Sequence, residues 1–402
     1  MPGRCRALGV WGPFRGPHID YRARERAGIM AAMIAGHATA ESMRRYAGRL
    51  ADRVAPEHFR ELRGAGPIAS IGLGTYLGRE DAATDALYRK SVIRAVERGI
   101  NVLDTAVNYR HQRSERMIGA ALAELVAGGV VAREDCLVAT KGGFVALDAD
   151  VPQDPGAYFI ETYVKSGIVT PEDVVGGSHC MTPRYLASQI DRSRANLGID
   201  TIDVYYVHNP ETQLDDVDHD EFLRRIREAF AALEDAVREG KIARYGVATW
   251  NGFRVDPDVA GYLSLSEMVS AARDAGGADH HFTVIQLPYN LAMPEAFTRA
   301  NQLIGTETVS TLEAARRLDV YVMASASVYQ GQLTRNLPPL IGEYLPGWTT
   351  DAQRAVQFVR STPGIGTALV GMKSVAHVEE NAEVARQGPL PWSEFKRLFS
   401  EV

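Results

Sequence analysis

The feature that most constrains this chain is a regular alternation, from about residue 58 onward, of short apolar runs with amphipathic helical stretches. Repeated strand-then-helix units favour parallel strands joined by crossover helices. Eight such units close a (β/α)8 barrel, so we predict a TIM barrel. The predicted strands lie at residues 69–72, 101–104, 137–141, 203–207, 243–248, 284–287, 320–324 and 367–371.

A doubly wound open sheet is the alternative fold, and a glycine-rich turn that opens a helix after the first strand would favour it. The segment Gly72-Leu73-Gly74-Thr75 is too short for that motif, and no helical pattern follows it directly. We therefore keep the barrel as the predicted fold.

Segments outside the repeating units indicate which barrel face carries function. Residues 59–71 predict a hairpin around a turn at 63–67, which we expect to cap the N-terminal end of the barrel. The long irregular stretches all follow strands and so belong on the C-terminal face, where barrel enzymes build their active sites. They span residues 142–182, 250–262, 288–310 and 325–350.

The two ends of the chain lie outside the barrel pattern. We assign residues 58–390 to the barrel domain, 1–57 to an N-terminal extension and 391–402 to a C-terminal tail. Residues 1–29 are rich in Arg, Gly and Pro, and we expect them to be disordered, although their composition also fits a transit peptide. A short amphipathic helix is predicted over 38–52.

Composition excludes several classes of function. The net charge of −6 provides no basic field for nucleic acid or a membrane surface. No apolar run is long enough to span a bilayer. The 3 cysteines have neither disulfide-framework nor metal-site spacing. We therefore expect a cytoplasmic protein without a metal, a nucleic-acid partner or a membrane partner, and its oligomeric state stays open.

Four ionisable residues follow three neighbouring predicted strands. Asp104 ends the second strand, with Tyr109 five residues later; Lys141 ends the third and His208 the fourth. Each has an ordinary explanation by itself: a helix cap, loop packing, a lysine reaching the barrel rim, and a histidine in a turn. Together they are harder to explain this way, because a lysine after an apolar strand is costly unless a carboxylate such as Asp104 pairs with it.

The four side chains form a coherent set for proton transfer to a carbonyl oxygen. A free tyrosine has a pKa of about 10, and a nearby lysine favours its phenolate form. Asp104 would hold Lys141 in place and keep it charged. His208 could polarise a carbonyl group or stabilise the oxyanion that develops there.

These residues stand within segments that resemble the aldo/keto reductase family. The resemblance covers residues 59–385, and its strength lies in the order and spacing of many short matches. It implies a TIM barrel, an NADP(H) cofactor and a small-molecule carbonyl substrate. The matching segments are residues 71–75, 99–109, 114–122, 139–143, 197–200, 203–210, 233–247, 286–290 and 371–381.

The resemblance also implies roles for individual residues. Asp104, Tyr109, Lys141 and His208 match the catalytic tetrad, with Tyr109 as the proton donor. Gln286 matches the residue that binds the nicotinamide carboxamide. The residues that the resemblance assigns to the cofactor are Gly74 and Thr75, Asp104, Gln286, Gly331 and Leu333 at the pyrophosphate, Lys373 and Ser374 at the 2′-phosphate, and Glu380 and Asn381 at the adenine.

The sequence departs from the family pattern at three places in the cofactor site. Where the family usually has Ser-Asn after the fifth strand, this chain offers Thr249 or Asn251. No aromatic residue occurs at 324–328, where the family commonly stacks one on the nicotinamide, and Trp250 or Tyr329 is the available substitute. His377 replaces a common arginine, which weakens the expected grip on the phosphate.

The 142–182 loop is several times longer than the family minimum. Its aromatic residues suit either internal packing or a substrate wall, and packing is the more common role. They are Phe144, Tyr158, Phe159 and Tyr163.

Two other functions fit parts of the pattern. Lys141 could form a Schiff base in a lyase, but that requires a neutral lysine, which Asp104 opposes, and leaves Tyr109 without a role. A catalytically weak, nicotinamide-binding regulatory subunit would fit the missing aromatic residue. Carbonyl reduction explains the largest number of residues, and we take it as the predicted function.

Overall fold

The computed structural model describes residues 33–148 and 151–399. The prediction for residues 1–29 lies outside the described residues. The strands, numbered along the chain, are β1 (Phe59–Leu62), β2 (Gly66–Ala69), β3 (Ile71–Gly74), β4 (Val102–Asp104), β5 (Leu137–Gly142), β6 (Val204–His208), β7 (Tyr245–Ala248), β8 (Phe282–Pro288), β9 (Ala300–Ile304), β10 (Glu307–Ser310), β11 (Tyr321–Ser325) and β12 (Thr367–Gly371).

Eight parallel strands form a closed barrel in the order β11-β12-β3-β4-β5-β6-β7-β8, and β8 pairs with β11 to complete the ring. The predicted TIM barrel is confirmed, and the open sheet is excluded because a closed barrel has no edge strand. Six of the eight predicted barrel strands shift by one or two residues at their start. The first barrel strand starts at Ile71 rather than at residue 69, because Ala69 belongs to the preceding hairpin.

The hairpin β1–β2 caps the N-terminal end of the barrel, as predicted. Phe59 pairs with Ala69 and Leu62 with Gly66. Leu62 and Ile68 belong to one buried apolar cluster with residues that begin the barrel strands, including Val102. Burial of this cluster closes the lower end of the barrel and leaves the upper end open for a site.

The described helices, in chain order, are α1 (Ala40–Arg49), α2 (Ala82–Glu97), α3 (Arg113–Ala127), α4 (Pro155–Phe159), α5 (Pro183–Leu197), α6 (His219–Arg238), α7 (Leu265–Gly276), α8 (Glu295–Thr298), α9 (Thr311–Arg317), α10 (Pro339–Tyr344), α11 (Asp351–Ser361), α12 (Val375–Ala382) and α13 (Trp392–Phe395). No helix in these two described ranges has the length and apolar composition needed to cross a bilayer.

Helix α1 lies within the 38–52 segment that predicted a helix, and it packs on the hairpin through its buried Met43. The approach is close at Gly66, where a Cβ atom would lie 2.6 Å from the Cα of Ala40. Gly66 also has a φ of +84°, in the region that favours glycine. A glycine is therefore required at this contact for two independent reasons.

Several regular elements were absent from the sequence prediction, among them helix α7 and the hairpin β9–β10. Helix α7 begins after Ser264, whose hydroxyl accepts a hydrogen bond from the Glu267 amide, and it buries Leu265, Met268 and Ala272. Its cap and apolar spacing were visible signals that the prediction did not use. The hairpin β9–β10 occupies part of the 288–310 stretch that was predicted to be irregular.

Candidate active site

A cavity of about 750 Å³ opens at the C-terminal face, above the ends of the barrel strands. Its walls come from the loops that follow those strands, as the sequence predicted for a barrel. The sequence-predicted residues that line it are Gly74, Thr75, Asp104, Tyr109, His208, Gln286, Gly331, Lys373, Glu380 and Asn381.

Lys141 and Asp104 form a buried ion pair beneath this cavity. The Lys141 side chain is 1% exposed, and its Nζ donates to the two carboxylate oxygens of Asp104 at 2.9 and 2.8 Å. A third bond of 2.7 Å runs to the carbonyl of Thr105. Burial opposes the lysine charge, but Asp104 and then Tyr109 outweigh that effect and raise the pKa of Lys141. The lysine is thus charged and all three of its N–H donors are used.

Tyr109 lies beside this pair in the tight turn that follows β4. Its amide donates to the carbonyl of Ala106 at 3.0 Å, and the Lys141 Nζ lies 4.8 Å from the centre of its ring. Burial raises the pKa of Tyr109, and Lys141 lowers it by a smaller amount. The expected influence of Lys141 is present, but the expectation of a net lower pKa is wrong in the free protein. The phenol is therefore protonated at neutral pH.

His208 ends β6 and faces Tyr109 across the cavity floor. Their ring centres are 5.9 Å apart, and the Phe144 ring packs edge-on against His208 at 5.1 Å. Burial, followed by the charges of Lys141 and His179, lowers the pKa of His208 well below its ordinary value. The imidazole is consequently neutral at pH 7 and can donate one hydrogen bond.

His179 supports this arrangement and was missed by the sequence analysis. Its Nε2 donates to the His208 carbonyl at 2.7 Å, and its Nδ1 accepts from Gln213 at 2.9 Å. These two bonds fix one neutral tautomer. His179 lies in the irregular 142–182 loop, where neither periodicity nor a motif marks it. Only the fold brings this histidine to the end of β6.

Gln286 reaches the cavity from β8, and its Nε2 donates to Asp104 Oδ1 at 2.7 Å. Asp104 therefore receives hydrogen bonds from both Lys141 and Gln286. The amide of Gln286 is thus held beside the ion pair in the cavity lining, and the resemblance assigns this residue to the nicotinamide carboxamide.

The opposite part of the cavity contains polar groups that suit a bound nucleotide. Asn381 is buried, and its Oδ1 has no hydrogen-bond partner among the described residues. Directly after β7, Thr249 Oγ1 is also buried without a partner among the described residues. Gly331 adopts a φ of +89° with open space beside its Cα, so its backbone can approach a ligand. Gly331, Lys373 and Asn381 thus fit the phosphate and adenine parts of a dinucleotide, and Thr249 fits its nicotinamide end.

Two predicted cofactor residues do not line the cavity. The hydroxyl of Ser374 accepts a hydrogen bond from the His377 amide at 3.3 Å and caps α12. Leu333 packs against the apolar core between helices and strands. Their side chains are used for local structure here, whereas Lys373 and His377 both face the cavity.

The structure shows which substitutes for the family's usual cofactor residues line the cavity. Thr249 and Trp250 line the cavity, whereas Asn251 and Tyr329 do not. The wall at the end of β11 is built from small or aliphatic side chains, with Ala326 at a φ of +52°. Trp250 is 40% exposed and is the aromatic substitute that lines the cavity.

A sequence model of the aldo/keto reductase family matches residues 70–338, about two thirds of the chain. The chain belongs to the aldo/keto reductase family. Among curated relatives, 6-dehydroglucose reductase of Novosphingobium aromaticivorans is 29% identical over 50% of this chain and 54% of its own length. The NADH-specific methylglyoxal reductase of Escherichia coli is 29% identical over 50% of this chain and 53% of its own. The chain thus matches about half the length of these relatives.

Solved structures support the same fold. A Klebsiella pneumoniae aldo/keto reductase, crystallised with NADP and acetate, is 21% identical and superposes with a TM-score of 0.58. The alignment covers 86% of this chain and 95% of the other. At this identity the likeness establishes the barrel.

The long loop of this aldo/keto reductase uses most of its aromatic residues for packing. Tyr163 lies with Val169, Cys180 and Tyr185 in a separate buried cluster, and Tyr158 and Phe159 pack against it. Phe144 instead lines the cavity. Internal packing is therefore the role of Tyr158, Phe159 and Tyr163, whereas the wall interpretation applies to Phe144.

Within 33–148 and 151–399, no group of three or more His, Cys, Asp and Glu residues could hold a metal ion.

Proposed function

We propose that this aldo/keto reductase reduces an aldehyde or ketone to an alcohol, with Tyr109 as the proton donor. The observation that carries the proposal is the position of Tyr109 in the cavity. The centre of its ring lies 4.8 Å from the Nζ of the charged Lys141, which donates two hydrogen bonds to Asp104. Position is essential for general acid catalysis, which contributes about 10²–10⁴-fold to a rate.

Each residue of the group has a separate role in this proposal. A bound nicotinamide supplies the hydride. Tyr109, protonated at neutral pH, gives its proton to the carbonyl oxygen, and Lys141 stabilises the phenolate that remains. Neutral His208 donates a hydrogen bond that orients the carbonyl group. Asp104 is a positioning residue that keeps Lys141 charged and in place.

The proposed cofactor is NADP(H), because Lys373 lies on the cavity wall where the adenosine phosphate is expected. A charge-assisted contact with that phosphate is worth about 1.5–3 kcal/mol, or roughly tenfold and more in affinity. Glu380 and Asn381 would contact the adenine. A relative named as NADH-specific makes the choice of cofactor worth measuring directly.

Fluorescence titration with NADPH and NADH tests the proposed cofactor. We expect tighter NADPH binding, and Lys373→Met should remove at least about a tenfold preference. Lys90→Met is the matched control, since Lys90 is exposed on α2, away from the cavity. Equal affinities for both cofactors, or an unchanged preference in Lys373→Met, would contradict the NADP(H) assignment.

The substrate end of the cavity supports a neutral carbonyl compound. Its walls include the exposed Tyr76 and Leu77 together with Phe144 and Trp250. Consumption of NADPH with a panel of aldehydes and ketones tests the proposed reaction. We expect turnover with at least one neutral aldehyde.

A cytoplasmic location without nucleic-acid or membrane partners also remains part of the prediction.

A nicotinamide-binding regulatory subunit is the second candidate. The small side chains at residues 325–328, where the family commonly stacks an aromatic ring, favour it. This alternative predicts tight cofactor binding without turnover of any carbonyl compound in the panel. The Schiff-base lyase is disfavoured, because Lys141 is charged and its three donors are occupied.

A further inference from the structure

We propose that a second cavity, at the N-terminal end of the barrel, binds a small organic oxyanion such as a phosphate monoester or a polycarboxylate. The cavity measures about 530 Å³ and lies at the opposite end from the candidate active site. Its lining includes Arg63 from the capping hairpin turn, Arg244 before β7, and His280 and Thr283 around the start of β8.

Arg244 is the principal observation. It is 4% exposed, and its single side-chain hydrogen bond to the described residues is a long one of 3.4 Å from Nη1 to the carbonyl of Asp203. The carboxylate of Asp203 is already occupied, since it accepts from Arg133 at 2.7 Å and from two backbone amides. A buried guanidinium normally has a carboxylate or several carbonyl partners. Here its remaining donors border a cavity.

Two further polar groups in this cavity also lack partners. Thr283 is 7% exposed, and among the described residues its Oγ1 has no hydrogen-bond partner. The same holds for Nδ1 of His280 within the described part of the chain. A hydroxyl and an imidazole beside an arginine supply the directed donors that a phosphate or carboxylate group accepts.

The charges around the cavity favour an anion of modest size. Arg63 contributes a second guanidinium, and its partner Asp319 lies 3.1 Å away on the exposed surface. Asp279 is the acidic residue among the described lining residues, and Glu234, which lies outside the lining, is paired with His281 at 2.8 Å. Arg63 is already paired, so Arg244 is the lining guanidinium that has no carboxylate within ion-pair distance among the described residues, which suits one anionic group.

The cavity volume and its polar lining indicate more than a single inorganic ion. A water molecule occupies about 30 Å³ of liquid, so about 530 Å³ exceeds the size of phosphate several times. Polar groups such as Thr201 and Asp279 line the space around the arginines. A compound fits this lining if it has one anionic group for the arginines and a hydroxylated body for the surrounding polar groups.

Isothermal titration of the full chain, saturated with NADPH, tests the proposal. The probes are inorganic phosphate, glycerol 3-phosphate and citrate, each at the same ionic strength as a chloride reference. We expect saturable binding of at least one probe, and Arg244→Gln should weaken it by about tenfold or more. Stronger binding of glycerol 3-phosphate identifies a phosphate monoester, whereas stronger citrate binding identifies a polycarboxylate.

Matched variants separate this cavity from the cofactor site. NADPH covers the other phosphate site, and Lys90→Met should leave the binding unchanged, because Lys90 is exposed on α2 and lines neither cavity. Thr283→Val and Arg63→Gln should each weaken binding several-fold, and they keep the proposal testable if Arg244→Gln does not fold. Absence of saturable binding for all three probes, or wild-type affinity in both Thr283→Val and Arg63→Gln, would overturn the proposal.

Discussion

Two buried cations at opposite ends of the barrel have very different surroundings. Lys141 at the C-terminal end is 1% exposed and donates three bonds of 2.7–2.9 Å, two of them to a carboxylate. Arg244 at the N-terminal end is 4% exposed and donates one bond of 3.4 Å to a carbonyl. Asp104 and Tyr109 overcome burial and raise the pKa of Lys141, whereas burial lowers the pKa of Arg244.

A third cation shows that a buried arginine does not need a carboxylate. Arg360, also 1% exposed, donates to Ser70 Oγ and to the Gln357 side chain, both at 2.9 Å, and to two backbone carbonyls. Neutral acceptors therefore bind Nε and Nη1 of Arg360 within the fold, although its Nη2 has no partner among the described residues. The contrast teaches that the fold supplies Lys141 with three short bonds and Arg360 with four acceptors, while the donors of Arg244 border a cavity.

The largest expected effect comes from removing Lys141 from its buried ion pair with Asp104. Lys141→Met leaves the buried Asp104 carboxylate without its cation, and breaking a buried pair in this way costs about 3–5 kcal/mol of unfolding free energy. The proposed role of Lys141 also predicts a fall in kcat of about 10²–10⁴-fold. Urea unfolding and steady-state kinetics measure the two effects.

Lys241→Met provides the control for that experiment. Lys241 pairs with Asp191 at 3.1 Å and Glu239 at 3.0 Å on the surface. Loss of such an exposed pair should cost less than about 1 kcal/mol and leave kcat unchanged. Similar losses of unfolding free energy and of kcat in Lys141→Met and Lys241→Met would contradict the role proposed for the Lys141–Asp104 pair.

The two arginines should respond differently to the same substitution. Arg360→Leu leaves several buried acceptors unpaired, which should lower the free energy of unfolding by about 1–3 kcal/mol. Arg244→Leu removes one long bond and an unpaired buried charge, so in the absence of oxyanions its effect should stay within about 1 kcal/mol. Urea unfolding in chloride buffer compares them, and an equal large loss in both would contradict the difference between the two sites.

The last stability comparison concerns the pH dependence that buried histidines at both ends of the barrel cause. Burial is the main cause that lowers the pKa of His58 to about 3 and that of His179 to about 4. The unfolded chain binds protons below about pH 6.5 that the folded protein does not, so each histidine costs about 1.4 kcal/mol per pH unit between there and its folded pKa. Stability from these groups is complete above pH 6.5 and declines as the pH falls.

Replacing one histidine isolates this contribution from other titrations. His58→Gln should reduce the loss of unfolding free energy between pH 6.5 and pH 5.5 by about 1 kcal/mol relative to the wild type, because the unfolded histidine is already half protonated at pH 6.5. His219→Gln, at an exposed histidine on α6, is the control. Parallel pH profiles for His58→Gln and the wild type would show that the folded protein accepts the proton at His58.

The sequence predicted most of the fold and the rim of the site for a definite physical reason. Alternating patterns fix strand positions, and strand ends fix which residues reach the C-terminal face, so Asp104, Lys141 and His208 could be placed together. The net pKa of Tyr109 could not be predicted, because it depends on burial that a sequence does not give. His179 and Arg244 were likewise beyond prediction, since their partners are brought together only by the closed barrel.

Local structure explains the predicted cofactor residues that do not reach the cavity. Ser374 occupies the cap position of α12, and its hydroxyl turns toward the helix amides. Leu333 packs inward from a turn in which Gln330 and Gly331 have positive φ angles. A motif match places a residue along the chain, but the backbone conformation decides which way its side chain points.

The central claim is that Tyr109 acts as the proton donor, and the Tyr109→Phe variant tests it most directly. The substitution keeps the ring that packs against Tyr76 and His208 and removes only the hydroxyl. With an aldehyde that the wild type reduces, kcat should fall by about 10²–10⁴-fold while NADPH affinity changes by less than about twofold. Near-normal turnover in Tyr109→Phe, with activity lost in Lys141→Met, would contradict the mechanism and favour the lysine as the reacting group.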